Sequence, residues 1–294
     1  MARIAIFGSG IVGESIGKGM KELGNSVVFY DIDRSRVHDL ITAGINATSN
    51  LDSVIPKSDF SFICVPTPNR NMSIDLTHVK EAVASITGRL RRATKYHVLV
   101  IKSTVTPSST ETTIIPIIRK SLGEGFEMRI GLCVNPEFLT ELHGSWTNGP
   151  SFAKSWCNQE RIVVGELNKR SGDALQSLYK PMKVPIIRTD IKTAEMIKYA
   201  SNCALASRIS YWNEIYYICR ILGIDSRIVA EVVGMDSRIG KYGTIHGKAF
   251  GGRCLPKDLQ AFIDFCEGIG YEPKLLKAVD EMNERIKSDN GIRE

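Results

Sequence analysis

The run Phe250-Gly251-Gly252-Arg253-Cys254-Leu255-Pro256-Lys257-Asp258 places one thiol between a glycine pair and a proline. Proline is favoured at the first position of a helix, where its missing N–H would have no partner anyway. The spacing therefore predicts a helix opening at Pro256, with Cys254 at its N-terminus. There the positive end of the helix dipole favours a thiolate, and Lys257 adds positive charge on the same side. Such a thiol is a nucleophile. The competing reading is a small buried hydrophobe, the usual state of a free cysteine.

Other side chains suit the same chemistry. Lys198 and Asn202 are four residues apart in a helical stretch, so they share a face. An ammonium and an amide on one face polarise an alcohol or aldehyde oxygen and steady an oxyanion; the bland alternative is a solvated lysine beside an amphipathic neighbour. Asp258 stands at the start of its helix and serves equally well as a capping carboxylate. Glu137 sits in a Pro-Glu-Phe turn just past a strand, at the sheet edge where ligands bind in doubly wound folds.

The string Gly8-Ser9-Gly10-Ile11-Val12-Gly13 follows one apolar run and opens a helix. The first glycine permits the turn, the second admits a pyrophosphate and the third lets helix and strand pack closely. The phosphates then lie at a helix N-terminus. Asp31, about twenty residues on, is placed to hold the ribose hydroxyls. Gly8, Gly10, Ile11, Val12, Gly13 and Asp31 form the expected cofactor loop. A carboxylate there repels a 2′-phosphate and favours NAD, while Arg34 and Arg36 keep NADP as a minor option.

These residues need a scaffold. Short runs rich in branched residues at 4–7, 27–30, 60–65, 98–101, 130–134, 162–164 and 184–187 alternate with amphipathic stretches at 12–23, 34–43, 76–86 and 109–121. This is the βαβ rhythm of a parallel sheet covered on both faces. After Thr189 the strands stop: one long helix is expected from Thr193 to Leu222, ended by Gly223, followed by helices at 226–233, 256–267 and from 273 onward. The fold class is α/β, an N-terminal Rossmann-like doubly wound parallel sheet (1–188) followed by an all-helical domain with a long central helix (189–294).

Composition narrows the function further. With 43% hydrophobic and 24% charged residues over 294 positions, the chain reads as a globular protein without a spanning segment, and its start carries no signal region. A cytoplasmic location is expected. Seven cysteines without a Cys-x-x-Cys, and five histidines without ligand spacing, argue against a disulfide framework or a metal site. The net charge of +6 suits an anionic small ligand. The basic run at 89–95 falls at a helix end and comes with no nucleic-acid motif, so nucleic acid is not an expected partner.

Several strings together resemble the UDP-glucose/GDP-mannose dehydrogenase family, and its UDP-glucose 6-dehydrogenase branch most closely. They are Val65-Pro66-Thr67-Pro68, Lys102-Ser103-Thr104-Val105, Asn135-Pro136-Glu137-Phe138-Leu139, Arg161-Ile162-Val163-Val164-Gly165, the stretch from Ala194 to Asn202, Asp236-Ser237-Arg238-Ile239-Gly240, and Phe250 to Asp258. They run in family order through nearly the whole chain. The resemblance implies a two-step oxidation of a sugar C6 alcohol to a carboxylate with two NAD. In it Lys198, Asn202 and a water ordered by Asp258 or Thr104 handle the proton and the oxyanion. Cys254 captures the aldehyde as a thiohemiacetal that becomes a thioester, and Glu137 helps water hydrolyse it. It adds Val65, Thr67 and Thr104 to the NAD site, and places Glu137, Phe138, Leu139, Lys198, Asn202, Arg238, Phe250, Gly251 and Lys257 around a UDP-sugar. It also implies a homodimer through the helical domain, with Arg238 reaching the partner's site.

The family continues into a nucleotide-gripping domain that this chain is expected to lack. Arg253 stands where a serine is usual, and the segment 141–158 is longer than its family counterpart. Two other readings compete: a single-step β-hydroxyacid dehydrogenase, which needs neither Cys254 nor Glu137, and a catalytically silent NAD-binding or partner-binding protein.

Overall fold

A computed structural model describes residues 1–91, 93–139, 146, 156, 159–252 and 254–291. The peculiar segment 141–158 lies outside the described residues, apart from Trp146 and Trp156, and so does Arg253. The chain divides into two compact units. The first comprises Met1–Pro68, Ile74–Leu139 and Ser155–Lys198; the second comprises Asn69–Ser73, Thr140–Lys154 and Tyr199–Glu294.

The first unit is built on a sheet with eight strands among the described residues. These are β1 (Arg3–Phe7), β2 (Ser26–Tyr30), β3 (Ala47–Thr48), β4 (Phe60–Ile63), β7 (His97–Ile101), β8 (Ile130–Val134), β9 (Ile162–Glu166) and β10 (Ile186–Thr189); a separate two-stranded hairpin supplies β5 (Asn69–Arg70) and β6 (Ser73–Ile74). The order across the sheet is β10-β9-β8-β7-β4-β1-β2-β3. Alternate residues feed two cores. Ala5, Phe7, Leu99 and Ile101 face one side, whereas Ile4, Ile6, Val98 and Val100 face the other. A strand buried on both faces needs apolar residues throughout, which is why these runs read as continuous rather than alternating.

Helices α1 (Ile11–Glu22), α2 (Arg34–Thr42), α3 (Leu51–Val54), α4 (Thr77–Leu90), α5 (Ile115–Leu122) and α6 (Lys169–Tyr179) complete this unit. The sequence pattern predicts a fully parallel sheet, but β9 pairs antiparallel with β8, Cys133 opposite Glu166 and Val134 opposite Gly165. An antiparallel neighbour starts at the edge where the preceding strand stops, so it needs no crossover helix. The strands β3, β5 and β6 and the helices α3 and α6 add to the expected elements.

In the second unit lie most of α7 (Ile191–Leu222), then α8 (Ser226–Val233), α9 (Leu255–Gly268) and α10 (Lys274–Gly291). Gly223 ends α7 with φ +67°, and the Ile224 N–H closes back on the Cys219 carbonyl at 2.9 Å, the six-to-one bond of a Schellman stop. Phe250, Cys203, Ile209, Leu259, Ile263 and Val279 form the core of this unit. The hairpin ties to α9 through Asn69 Nδ2, which donates to Lys257 O at 2.8 Å, and through Ser73 Oγ, which donates to Asp264 Oδ2 at 2.5 Å. Among the described residues no helix is long and apolar enough to cross a membrane.

Candidate active site

Strand order reverses at β1, which lies between β4 and β2. Ligands of open α/β sheets bind outside the carboxyl ends of the strands at such a point. Gly8, Thr67 and Asp31 all follow those ends. Gly8 has φ +89°, and a Cβ there would lie 2.9 Å from Cys64 O; a Cβ on Gly13 would lie 2.0 Å from Gly8 O. Gly10 is the N-cap of α1, makes no side-chain cap, and a Cβ on it would meet nothing within 4 Å. Open space over first-turn amides fits a dinucleotide pyrophosphate. Ile11 is exposed at the first turn and Val12 is half-buried behind it.

Asp31 is prepared for the ribose. Its Oδ2 accepts from Ser9 N–H at 2.8 Å and Ser9 Oγ at 2.6 Å, and its Oδ1 from Asp33 N–H at 3.1 Å. Burial pushes the carboxyl upward, but the Ser9 and backbone donors outweigh it and hold Asp31 below the usual range. Arg36 is engaged with protein acceptors, Ser9 O at 2.9 Å and Glu14 Oε2 at 2.5 Å. An ionised Asp31 and an occupied Arg36 fit NAD. Val65 is half-buried against the core, Thr67 is buried, and Thr104 is half-buried past the end of β7.

A second group in the first unit surrounds the turn after β8. Asn135 Nδ2 donates to Val163 O at 2.7 Å, and Tyr179 donates to Asn135 Oδ1 at 2.5 Å, fixing the start of the turn. Glu137 is buried; its Oε1 accepts from Leu139 N–H at 2.5 Å, and its Oε2 faces Lys102 Nζ at 3.3 Å. Lys102 also donates to Pro136 O at 3.0 Å. Lys198, buried on α7, donates to the Glu137 carbonyl oxygen and lies 5.6 Å from the Phe138 ring centre. Arg161 stands 4.6 Å from that ring. Lys102, Glu137 and Lys198 thus converge.

Glu195, one turn before Lys198, anchors the chain beyond Thr104. Its carboxylate, 1% exposed, accepts from Ser108 N–H at 2.7 Å and Thr110 N–H at 2.9 Å. Ser108 takes φ +72°, a left-handed conformation unusual for a residue with a Cβ. Burial pushes the Glu195 carboxyl up to about 7 against these donors.

In the second unit Cys254 is the half-buried N-cap of α9, and its carbonyl accepts from Asp258 N–H at 2.9 Å. The helix opens at Leu255, so Pro256 is its second residue rather than its first. Asp258, 1% exposed, is no cap: its carboxylate accepts from Asn202 Nδ2 at 2.6 Å and from Lys257 Nζ at 2.5 Å. The Lys257 charge is therefore engaged by Asp258. Burial pushes the Cys133 and Cys203 thiols up to about 12, so these behave as inert hydrophobes. Phe250 is fully buried in the core, Gly251 is exposed, and Arg238 projects into solvent, paired with Asp236 at 2.6 Å.

Lys102 and Glu195 escaped sequence reasoning as functional residues, although both lie in matched strings. Beyond those strings, the residue pattern marks them as charges beside apolar positions, Ile101 before Lys102 and Ala194 and Met196 around Glu195, and that gains meaning only once the fold supplies partners.

Comparison with known proteins covers both units. Residues 39–183 match the NAD-binding domain of the UDP-glucose/GDP-mannose dehydrogenase family, and residues 192–285 match its central domain. A UDP-glucose 6-dehydrogenase of Haloferax volcanii is 35% identical over 96% of this chain and 69% of its own length. A GDP-mannose 6-dehydrogenase of Pseudomonas savastanoi is 34% identical over 96% of this chain and 68% of its own. The solved structure of a UDP-glucose dehydrogenase from Pyrobaculum islandicum superposes with a TM-score of 0.87 at 32% identity, covering 97% of this chain and 68% of that one. The chain thus spans about two thirds of these relatives.

Proposed function

The chain belongs to the UDP-glucose/GDP-mannose dehydrogenase family of NAD-dependent oxidoreductases, and we propose that it oxidises C6 of UDP-glucose to the carboxylate of UDP-glucuronate through Cys254. The observation that carries the reading is Cys254 at the N-cap of α9, one turn before a buried Asp258 that Asn202 holds. Residues 1–188 take the cofactor role and residues 189–294 the helical, dimer-forming role.

NAD, when bound, accepts a hydride in each of two oxidations. Lys198 and Asn202 bind the C6 oxygen, and a water ordered by Asp258 or Thr104 carries off the hydroxyl proton as the aldehyde forms. Cys254 Sγ adds to the aldehyde carbon to give a thiohemiacetal, and loss of the second hydride from that carbon gives a thioester. Water attacks the thioester, Glu137 takes its proton, and the C–S bond breaks to return the thiol and release the carboxylate. One alcohol, one water and two NAD⁺ give one carboxylate, two NADH and three protons. Phe138, Leu139, Gly251 and Lys257 complete the sugar site; Phe250, expected there from sequence, is instead a fully buried core residue whose N–H and C=O both bond Asn283. Reduced, buried cysteines suit a cytoplasmic setting.

A homodimer is part of this proposal. Tyr211, Ile218, Ile221 and Leu222 on α7, with Ile228 and Val232 on α8, are large, apolar and exposed. An apolar face of this kind marks an interface, and Arg238 would cross it to the partner's sugar nucleotide.

The test compares wild type with Cys254→Ser in the presence of NAD and UDP-glucose, with GDP-mannose as a second substrate. Wild type should release two NADH per UDP-glucose, and the variant should lose turnover by about 100-fold or more, as expected when a covalent nucleophile is removed. Equal turnover by the variant would exclude the thiol. One NADH per substrate would point to a single-step oxidation.

A further inference from the structure

Cys254 is preceded by an irregular stretch, and two buried amides grip that stretch from different helices. Asn213, on α7, has no exposed surface; its Oδ1 accepts from Gly247 N–H at 2.9 Å, and its Nδ2 donates to Lys248 O at 3.0 Å. Asn283, on α10, is equally buried; its Oδ1 accepts from Phe250 N–H at 2.8 Å, and its Nδ2 donates to Phe250 O at 3.1 Å. Each carboxamide thereby acts as a surrogate strand, satisfying one donor and one acceptor of a chain segment that has no ladder of its own. Neither residue belongs to the reacting groups proposed above.

The grip matters because of what lies on either side. Gly247 has φ +77°, and a Cβ there would lie 3.3 Å from the Tyr216 ring. Gly252 also has φ +77°. Glycines in this region give the backbone wide freedom, so the loop has little intrinsic reason to hold one shape. The Phe250 side chain is sunk in the core among Cys203, Leu259 and Ile263, which fixes a point but not the direction of the chain leaving it. A two-bond clamp on the Phe250 peptide groups sets that direction four residues before the thiol.

We propose that Asn213 and Asn283 are positioning residues that hold the 247–250 stretch so that the Cys254 thiol sits correctly at the mouth of α9. The catalytic consequence rests on the thiol reading above; the effect on the thiol itself does not.

The experiment uses the full chain and the variants Asn283→Ala and Asn213→Ala. Alkylation of individual cysteines by iodoacetamide is followed by peptide mass, alongside steady-state NADH formation. Cys254 should be alkylated at least about 5-fold faster in each variant, as a loosened loop gains open states, while Cys203 and Cys266 in the same unit stay protected. Turnover should fall about 10-fold or more, with the KM for NAD unchanged within about twofold, the pattern of a lost positioning contact. Unchanged Cys254 alkylation would overturn the proposal, and so would a parallel rise at Cys203 and Cys266, which reports loss of the whole core. Should a variant not fold, amide exchange in the wild type decides: Gly247 and Phe250 N–H must exchange far more slowly than Gly270, and equal rates overturn the clamp. Failure of the wild type to oxidise any sugar nucleotide would remove the functional reading and leave the alkylation and exchange comparisons valid.

Discussion

At the scale of single residues, Glu137 is a buried acid whose carboxylate faces a buried lysine. A carboxylate taken out of water loses far more than one hydrogen bond returns, so its ionised form needs a counter-charge or several donors. Here that charge is Lys102, whose side chain is 2% exposed, 3.3 Å from Oε2. Lys198 contributes through the backbone oxygen of the same residue rather than through its carboxylate. Removing Lys102 leaves Glu137 buried and unpaired. Lys102→Ala should therefore lower stability in urea unfolding by about 3–5 kcal/mol, and adding Glu137→Gln should restore most of it, since what costs is the orphaned charge. A single variant within about 1 kcal/mol of wild type would show that Glu137 finds other support. The sequence announces the acid, in a turn just past a strand, but gives no hint of its partner, which lies 35 residues earlier on a neighbouring strand end.

At the scale of elements, β7 shows how a strand can hold a titratable group without using it in chemistry. His97 opens β7 at 2% exposure, with Nδ1 3.0 Å from Ser58 O and Nε2 2.9 Å from Ser61 Oγ. A carbonyl can only accept, so Nδ1 carries the proton and Nε2 accepts from the serine. Burial pushes the imidazole down to about 4 from its ordinary 6.5. Between those values the unfolded chain binds a proton that the native state refuses, so this contribution to stability is complete above pH 6.5 and is lost as pH falls toward 4. The loss amounts to about 3 kcal/mol at most by linkage. His97→Gln should flatten the stability slope across that window relative to wild type; an unchanged slope would mean the ring protonates without cost. The elements themselves were legible wherever one period dominated: the apolar runs of β1, β4, β7 and β8, and the long helix closed by Gly223. The direction of β9 was not, because strand composition is the same whichever way its neighbour runs. The two-residue strands and α3 are too short to leave a period, and the buried asparagines behind the thiol loop look like any helix amide until packing encloses them.

At the scale of the molecule, the unexplained surface is the apolar face on α7 and α8. Ile221 is 83% exposed and Ile228 61%. In each helix the exposed residues recur at helical spacing: Tyr211, Ile218 and Ile221 or Leu222 on α7, and Ile228 and Val232 on α8. A stripe of that kind is costly in water and is covered in most oligomers by the same stripe of a second copy. Arg238, 87% exposed at its side chain, has its guanidinium paired with Asp236 at 2.6 Å, so the role proposed for it at a neighbour's anionic substrate requires that pair to open or be shared. Sedimentation should give twice the chain mass for wild type and a single chain mass for an Ile221→Glu, Val232→Glu double variant. The sharper test is complementation. Cys254→Ser and Arg238→Ala chains, each deficient alone, are mixed and allowed to exchange subunits. In a mixed dimer, one site has its own thiol together with the arginine from its partner. With random exchange of a two-fold dimer, half the dimers are mixed and half of their sites are intact, so about a quarter of wild-type activity should return. No recovery after proven exchange would confine Arg238 to its own subunit, and a monomeric wild type would leave the apolar face to another partner.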